Sequence, residues 1–294
     1  MKNWWKDSSL KVKLQEPLKA HTSFKIGGPA QFFANPLVTG HLQDLILSAK
    51  KSKVPVFTIG AGSNILISDR GIRGLVIKFD SPFFCRFSLE EERIWAGCGL
   101  GLAQVMFKAK ENGLSGIEFL AGIPGTLGGA AVMNAGAWGK SIGDFIEVVE
   151  VMDSKGQIKI LHKTDLEFKY RSSSLSKYFV LSVCLKLRKN RKERIQENIG
   201  KFLENRLKDQ DLSLPNAGCV FKNPEGSSAG RLIDMCGLKG RRIGGARVSL
   251  KHANFILNEN NARADDILQL MNLAKREVRN KFNIKLEPEI KIWK

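Results

Sequence analysis

Residues 119–139 form a run of 21 residues without a charged side chain, which is about the length of a membrane span. The run nevertheless contains Pro124, Asn134 and six glycines. A helix exposed to lipid must satisfy every backbone polar group internally, and so many helix-breaking residues oppose that. We therefore predict no membrane span here, but a folded segment whose backbone passes very close to another group.

The size and charge of the chain limit its partners. Its 294 residues predict two or three domains. Lys and Arg number 47 against 29 Asp and Glu, so the formal net charge is +18. Such a charge favours anionic partners, which include nucleic acid, an acidic membrane and phosphorylated small molecules. Composition alone does not choose among these three.

The cysteines predict a reducing compartment. The chain has five cysteines, an odd number, and no two of them form a C-x-x-C pair. Neither a disulfide framework nor a zinc site is therefore indicated. The first ten residues lack the apolar run of a signal peptide. We therefore expect a cytoplasmic protein without a bound metal.

Strand and helix patterns alternate through three blocks, 1–80, 81–190 and 191–294, which indicates an α/β or α+β architecture. Apolar residues spaced three and four apart predict four helices, at 42–49, 102–109, 195–207 and 267–282. Short apolar or alternating runs predict strands at 24–26, 31–34, 56–59, 65–67, 75–79, 94–96, 147–152, 157–161 and 178–187, of which 147–152 and 157–161 form a hairpin.

A first glycine-rich loop, Gly60-Ala61-Gly62-Ser63-Asn64, follows the predicted strand 56–59. Glycines let backbone N–H groups approach an anion without an intervening Cβ atom, and successive N–H groups in a tight turn form an anion-binding concavity. Ser63 and Asn64 add side-chain donors. Taken alone, this segment is more simply explained as an ordinary turn between strands.

A second glycine-rich stretch, 122–129, continues into Asn134-Ala135-Gly136-Ala137. It is neither a P-loop, because it lacks Gly-Lys-Ser/Thr, nor a dinucleotide fingerprint after a first strand. Tight packing of small residues is the plainer explanation. Two separate glycine-rich loops in one chain, however, favour a ligand that carries a pyrophosphate and flat rings.

A set of motifs in a defined order resembles the UDP-N-acetylenolpyruvoylglucosamine reductase family. Each motif is weak alone, but the ordered set is highly specific and extends from about residue 18 to the end of the chain. The matching segments are His21–Ala30, Gly60–Leu66, Ala121–Gly129, Tyr170–Ser173, Asn216–Pro224, Gly237–Gly240, Val248–His252 and Leu286–Glu289.

The resemblance implies an α+β protein with a two-subdomain FAD-binding fold of the vanillyl-alcohol-oxidase (PCMH) type, at 1–80 and 81–190. A C-terminal α/β substrate-binding domain would occupy 191–294, in the shorter form that lacks an inserted tyrosine loop. It also implies that NADPH reduces a non-covalent FAD, which then reduces UDP-N-acetylglucosamine enolpyruvate to UDP-N-acetylmuramate for peptidoglycan synthesis. The expected cofactor-binding residues are Gly60, Ala61, Gly62, Ser63, Asn64, Pro124, Gly125, Thr126, Gly129, Asn134 and Gly136.

Three residues match the family's catalytic positions. Hydride addition to an enolpyruvyl group leaves enolate charge beside the carboxylate, and fixed donors stabilise such charge. The planar fork of Arg171 suits that carboxylate. Glu289 would help to polarise the intermediate, and burial that raised its pKa would make it a protonated donor. Without the family match, we would interpret both residues as surface charges.

Cys219 occupies the position where the family usually has a serine that protonates the intermediate at C2. A thiol with an ordinary pKa of about 8.5 is largely protonated at neutral pH and is a stronger acid than a serine hydroxyl. On physical grounds Cys219 can therefore serve as the proton donor. The plainer explanation of this cysteine is that it packs as a small, buried apolar side chain. By resemblance, Tyr170, Lys222 and Asn223 line the substrate site, Lys222 for the diphosphate.

Two alternatives remain open from the sequence. A nucleic-acid-binding protein would suit the charge, but no nucleic-acid-binding motif with aromatic platforms is visible. The second alternative is an FAD-dependent oxidase of the same fold. Several such oxidases attach the flavin covalently through a histidine. The four histidines lie outside both glycine-rich loops, which argues against a covalent flavin; they are His21, His41, His162 and His252. Oligomeric state is not encoded in any recognisable pattern.

Overall fold

The computed structural model describes residues 11–294. The first ten residues, for which we predict no signal peptide and which include Trp4 and Trp5, lie outside this range. The described chain comprises two compact units. The first unit contains residues 11–14, 32–61 and 73–205, and the second unit contains residues 15–31, 62–72 and 206–294. Residues 11–294 form six α-helices: α1 Thr39–Lys51, α2 Leu102–Glu111, α3 Leu127–Met133, α4 Lys192–Asp209, α5 Ala229–Met235 and α6 Ala264–Phe282.

The strands of the described range are mostly short. Those before α3 are β1 Lys13–Pro17, β2 Pro29–Ala34, β3 Val56–Ile59, β4 Ile65–Ile67, β5 Ile72–Lys78, β6 Phe87–Glu90, β7 Arg93–Gly97 and β8 Leu114–Ser115. Those between α3 and α4 are β9 Gly136–Ala137, β10 Lys140–Ser141, β11 Ile146–Met152, β12 Ile158–His162, β13 Phe168–Lys169, β14 Ser172–Ser173, β15 Phe179–Lys186 and β16 Arg188–Lys189. The last four are β17 Arg242–Ile243, β18 Ala246–Val248, β19 Ile256–Asn258 and β20 Lys291–Trp293.

The core of the first unit forms between sheets and amphipathic helices. A five-stranded antiparallel sheet has the order β12-β11-β15-β7-β6, and β3 pairs in parallel with β5. β15 is buried on both faces over most of its length, which explains its nearly continuous apolar sequence. The apolar faces of α1 and α2 join the same core.

The second unit packs α5 and α6 against the three-stranded antiparallel sheet β17-β18-β19. The buried face of α6 follows the predicted helical spacing, with Ile267, Leu270, Met271, Ala274 and Val278 in the core. β20 pairs in parallel with β4. The division into three blocks stays a prediction, since the second unit also includes residues 15–31 and 62–72 of the first block.

All four predicted helices are confirmed, and so is the predicted hairpin, where β11 and β12 pair antiparallel around the turn 153–156. The predicted strand at 24–26 is wrong. Lys25 has a φ of 58°, and its N–H donates to Thr22 O at 3.2 Å. The segment is a turn, and the buried Phe24 and Ile26 on either side of Lys25 imitate the alternation of a strand.

The uncharged run 119–139 folds into several short elements, among them α3 and β9. Asn134 ends α3 in the left-handed conformation. Within residues 11–294, no helix is long and apolar enough to cross a membrane.

The hairpin turn predicts a pH dependence of stability. A hydrogen bond from Lys159 Nζ, 2.9 Å from Asp153 Oδ2, together with the N–H groups of Gln157 and Lys155, lowers the pKa of Asp153 to about 2. Because the folded pKa is depressed, this stabilisation is complete above the unfolded pKa of about 3.9 and is lost as the pH falls toward 2. We expect Asp153→Asn to lower the melting temperature at pH 7. Thermal unfolding of both proteins between pH 7 and 2.5 would show the difference shrinking below about pH 4; a constant difference would contradict the assignment.

Candidate active site

Gly60 of the first glycine-rich loop meets Thr126 of the second stretch within the first unit. A methyl group at Gly60 would lie only 2.5 Å from Thr126 Oγ1, so only glycine permits this contact. Thr126 is the N-cap of α3, and its Oγ1 accepts a hydrogen bond from Gly129 N at 3.4 Å. Gly128 packs equally tightly against Cys98 Cβ. Some glycines of the second loop therefore serve packing, and the contact at Gly60 joins the loops at one place.

The joined loops leave hydrogen-bond donors available. In the described part of the chain, the backbone N–H groups of Ala61, Gly125 and Thr126 have no acceptor. Gly125 has a φ of 158°, a conformation that L side chains rarely adopt. Free N–H groups on adjoining turns form a concavity that suits an anion. The residues present in the first unit therefore fit the diphosphate of FAD.

Asn134 connects the second loop to the segment that carries Arg171. It is buried, its Oδ1 accepts from Gly143 N at 3.0 Å, and its Nδ2 donates to Lys169 O at 3.1 Å. The side chain predicted to bind cofactor is thus occupied in holding β13. Ser173 anchors the other strand of the same hairpin, since its Oγ donates to the carbonyls of Ala131 and Val132.

Arg171 lies in the two-residue turn between β13 and β14, where Lys169 pairs with Ser172. Its φ is 56°, a left-handed conformation that costs an arginine about 1–2 kcal/mol relative to glycine. Nη1 donates to Gly136 O at 2.9 Å, and the guanidinium lies 5.0 Å from the ring centroid of Tyr170. These contacts orient the guanidinium despite its place at the tip of a turn.

We expect Asn134→Ala to destabilise the protein by about 2–4 kcal/mol. The variant leaves the buried Gly143 N–H without a partner, which costs about 1–3 kcal/mol, and it removes the bond to the Lys169 carbonyl, worth about 1 kcal/mol. It also forces alanine into a left-handed φ. Denaturant unfolding followed by circular dichroism would measure the loss. Asn112→Ala is the matched control, because that asparagine ends α2 with one side-chain bond, to Lys108 O. Equal losses in the two variants would contradict the role of Asn134.

In the second unit, Cys219 lies in an extended segment between two neighbours. Val220 N donates to Asn254 O at 2.9 Å on one side, and Glu289 N donates to Val220 O at 2.9 Å on the other. Cys219 itself bridges to Phe255 and is half-buried. The residue pair predicted as acid and polariser is therefore held on adjoining, hydrogen-bonded segments.

Glu289 is also tied to the first glycine-rich loop. Asn64 Nδ2 donates to Glu289 O at 3.4 Å, and Lys291 N donates to Asn64 O at 2.9 Å. β20 then continues in parallel beside β4. The half-buried Glu289 thus lies two residues before β20, hydrogen-bonded to Asn64.

Lys222 and Asn223 follow Cys219 in the same segment. Lys222 Nζ lies 3.4 Å from Glu287 Oε2, and Lys222 N donates to Glu287 O at 2.9 Å. Asn223 Oδ1 accepts from Ala229 N, the first residue of α5, at 3.0 Å. The asparagine therefore folds the loop back onto α5, while its amide nitrogen has no acceptor among residues 11–294.

Two positioning residues were not found from the sequence. Asn254 is buried and bonds both the N–H and the carbonyl of Phe221, at 3.0 and 2.8 Å. Asn216 Oδ1 accepts from Gly218 N at 2.9 Å, which shapes the turn before Cys219, where Gly218 has a φ of 73°. An asparagine two residues before another residue's N–H is the signature of an Asx turn, so Asn216 was detectable. Asn254 has no such signature, because it is a single polar residue inside an apolar run.

Comparison with known proteins identifies both parts of the chain. Residues 30–162 match the FAD binding domain, and residues 210–293 match the family described as UDP-N-acetylenolpyruvoylglucosamine reductase, C-terminal domain. Cholesterol oxidase from Brevibacterium sterolicum has a TM-score of 0.50 at 11% identity, over 62% of this chain and 38% of that one. That similarity concerns the fold alone. With the match to the FAD binding domain, it confirms the predicted α+β class with an FAD-binding fold of the vanillyl-alcohol-oxidase type.

Two relatives cover nearly the whole chain. The UDP-N-acetylenolpyruvoylglucosamine reductase of Caldanaerobacter subterraneus subsp. tengcongensis is 43% identical over 284 residues, which are 96% of this chain and 93% of the relative. The crystal structure of the enzyme of that name from Thermus caldophilus has a TM-score of 0.82 at 36% identity, over 97% of this chain and 99% of that one. The chain therefore belongs to the UDP-N-acetylenolpyruvoylglucosamine reductase family.

Proposed function

We propose that this chain is an FAD-containing oxidoreductase that uses NADPH to reduce UDP-N-acetylglucosamine enolpyruvate to UDP-N-acetylmuramate, in peptidoglycan precursor synthesis. Family membership over nearly the whole chain carries this proposal. The geometry supports it, because Cys219 and Glu289 lie on adjoining segments and Arg171 is held in an oriented turn.

The glycine-rich loops hold the cofactor without a covalent bond in this proposal. The residues assigned to FAD are those predicted from the sequence, with the backbone N–H groups of Ala61, Gly125 and Thr126 directed to the diphosphate. Asn134 and Gly136 act indirectly, by shaping the second loop and the Arg171 turn. When bound, FAD supplies the redox chemistry between NADPH and the enolpyruvyl double bond.

Arg171 and Glu289 act on the charge that develops on the substrate. The guanidinium binds the enolpyruvyl carboxylate, where its fork makes two parallel charge-assisted hydrogen bonds. As the double bond is reduced at C3, negative charge spreads from C2 onto this carboxylate. A fixed arginine stabilises that charge without reorganising. Glu289 helps to polarise the intermediate.

Cys219 then completes the reaction. Its Sγ–H bond breaks, the proton goes to C2, and the thiolate is left to regain a proton from water. Lys222 meets the diphosphate of the UDP-sugar, and the free amide of Asn223 donates to the sugar or the carboxylate. Tyr170 forms a wall beside Arg171. Proton transfer from a positioned side chain contributes about 10²–10⁴ to the rate of such a step.

We also propose a cytoplasmic location. Both NADPH and nucleotide-linked sugars are polyanions, and the formal charge of +18 raises their rate of encounter with the protein. Within residues 11–294, no disulfide joins Cys85, Cys98, Cys184, Cys219 and Cys236, which suits a reducing compartment.

An anaerobic visible spectrum tests the function. We expect the purified, FAD-loaded protein to be yellow, to lose its visible absorbance with NADPH, and to regain it when UDP-N-acetylglucosamine enolpyruvate is added. Bleaching without recovery would overturn the proposed substrate and favour an oxidase. A protein that retains no flavin after incubation with FAD would overturn the cofactor as well. NADH in place of NADPH is the control for coenzyme preference.

A further inference from the structure

A basic groove of about 790 Å³ lies on the second unit, along the C-terminal half of α6. Its other wall is the extended segment that precedes Glu289. The residues lining this groove are Asn272, Lys275, Arg276, Arg279, Lys285, Leu286, Glu287 and Pro288. Four of them are cations and one is a carboxylate, so the groove concentrates positive charge in one concavity.

Most of the cations that line the groove are anchored, yet keep donors to spare. Lys275 Nζ lies 5.9 Å from the ring centroid of Phe221. Arg279 Nη1 donates to Asn283 O at 2.9 Å, and this occupies only one of its five N–H bonds. Arg276 pairs with its neighbour Glu277 at 3.0 Å.

The opposite wall adds one cation whose charge is not compensated. Lys285 is exposed and makes neither an ion pair nor a hydrogen bond within residues 11–294. Glu287, the only acid lining the groove, lies 3.4 Å from Lys222. Lys222 partly neutralises it, so the groove carries an excess of positive charge that its own carboxylate does not balance.

We propose that this groove binds a polyphosphate chain through the cations of α6 and Lys285. Guanidinium forks match phosphate oxygens bidentately. Positions 275, 276 and 279 lie within about 6 Å along the helix axis, so neighbouring cations meet successive phosphates of a chain, whereas one phosphate would reach only some of them. Leu286 and Pro288 form an apolar edge that does not compete for those donors.

Inorganic tripolyphosphate is the probe, and isothermal titration of the full-length, FAD-loaded protein is the measurement. The triple variant Arg276→Gln, Arg279→Gln, Lys285→Gln removes three cations whose side chains are exposed. The control Arg191→Gln, Lys192→Gln, Arg194→Gln removes the same charge from the exposed start of α4. We expect the wild type and the control to bind with the same affinity, and the groove variant to lose about tenfold or more in affinity per cation. Lys285→Gln alone, which removes no described contact, keeps the test valid if the triple variant unfolds.

Equal weakening in both triple variants would overturn the proposal, because it would show attraction by net charge alone. Unchanged binding in the groove variant together with loss of binding in Lys222→Gln would also overturn it, because the anion would then occupy the substrate site. ATP as a second titrant distinguishes a nucleotide from inorganic polyphosphate as the natural source. Binding of a single-stranded DNA of about 20 nucleotides, without binding of tripolyphosphate, would overturn the proposal and identify nucleic acid as the ligand of the groove. None of these readouts requires turnover, so failure of the proposed reaction leaves them interpretable.

Discussion

Cys219→Ala is expected to slow the return of flavin absorbance after substrate addition by about 10²–10⁴-fold. Alanine keeps the half-buried position filled but has no proton to give to C2. The reduction of the flavin by NADPH does not use this proton, so its rate is expected to stay that of the wild type. Stopped-flow spectroscopy separates the two half-reactions in one enzyme.

Cys219→Ser is the matched control, because the hydroxyl can donate a proton from the same atom position. We expect it to retain most of the activity and to resist inactivation by a thiol-alkylating reagent, which we expect to inactivate the wild type. Full activity in Cys219→Ala would rule out the thiol as proton donor. Loss in the serine variant together with normal stability would instead show that the reaction depends on the greater acidity of the thiol.

Arg171→Gly is expected to separate stability from activity. We expect the rate of substrate reduction to fall by about 10²–10³-fold, the usual loss when one fixed donor to a developing charge is removed. Glycine adopts the φ of 56° freely, so relief of about 1–2 kcal/mol of strain offsets the lost bond to Gly136 O, worth about 1 kcal/mol. Denaturant unfolding and stopped-flow reoxidation would measure the two effects.

Arg171→Lys is the control that keeps the charge but not the fork. If bidentate recognition of the carboxylate matters, we expect this variant to lie much closer to Arg171→Gly than to the wild type. Wild-type rates in Arg171→Gly would contradict the catalytic assignment. A large loss of stability in that variant would show instead that the contacts with Gly136 and Tyr170 hold the hairpin together.

Sequence patterns predicted the long elements well, because their signals are local. The face of α6 repeats every three or four residues over 19 residues, and the β11–β12 hairpin has both its strands and its turn in one short stretch. The segment 24–26 shows the limit. Its buried Phe24 and Ile26 alternate with Lys25 as in a strand, but the left-handed Lys25 makes a turn.

The candidate residues of the site could be named from the sequence through the family resemblance. The two glycine-rich loops, the arginine after Tyr170 and the cysteine in the usual serine position could each be named in advance. The contacts of Asn134 could not, because its partners Lys169 and Gly143 lie 35 and 9 residues away in the chain. Asn254 was missed for the same reason, since its partner Phe221 lies 33 residues away in the chain.

The sequence by itself determined which functional groups this protein has and the order in which they occur, because residue identity and spacing are local properties. It thereby placed the chain in its family and singled out Cys219. Only the tertiary structure decided that Asn134 holds the turn of Arg171, and that the segment of Cys219 lies between Asn254 and Glu289. Such contacts join residues that are far apart in the chain. The entropic cost of closing the loop between them is offset only when the whole core packs, so no short stretch of sequence predicts these contacts.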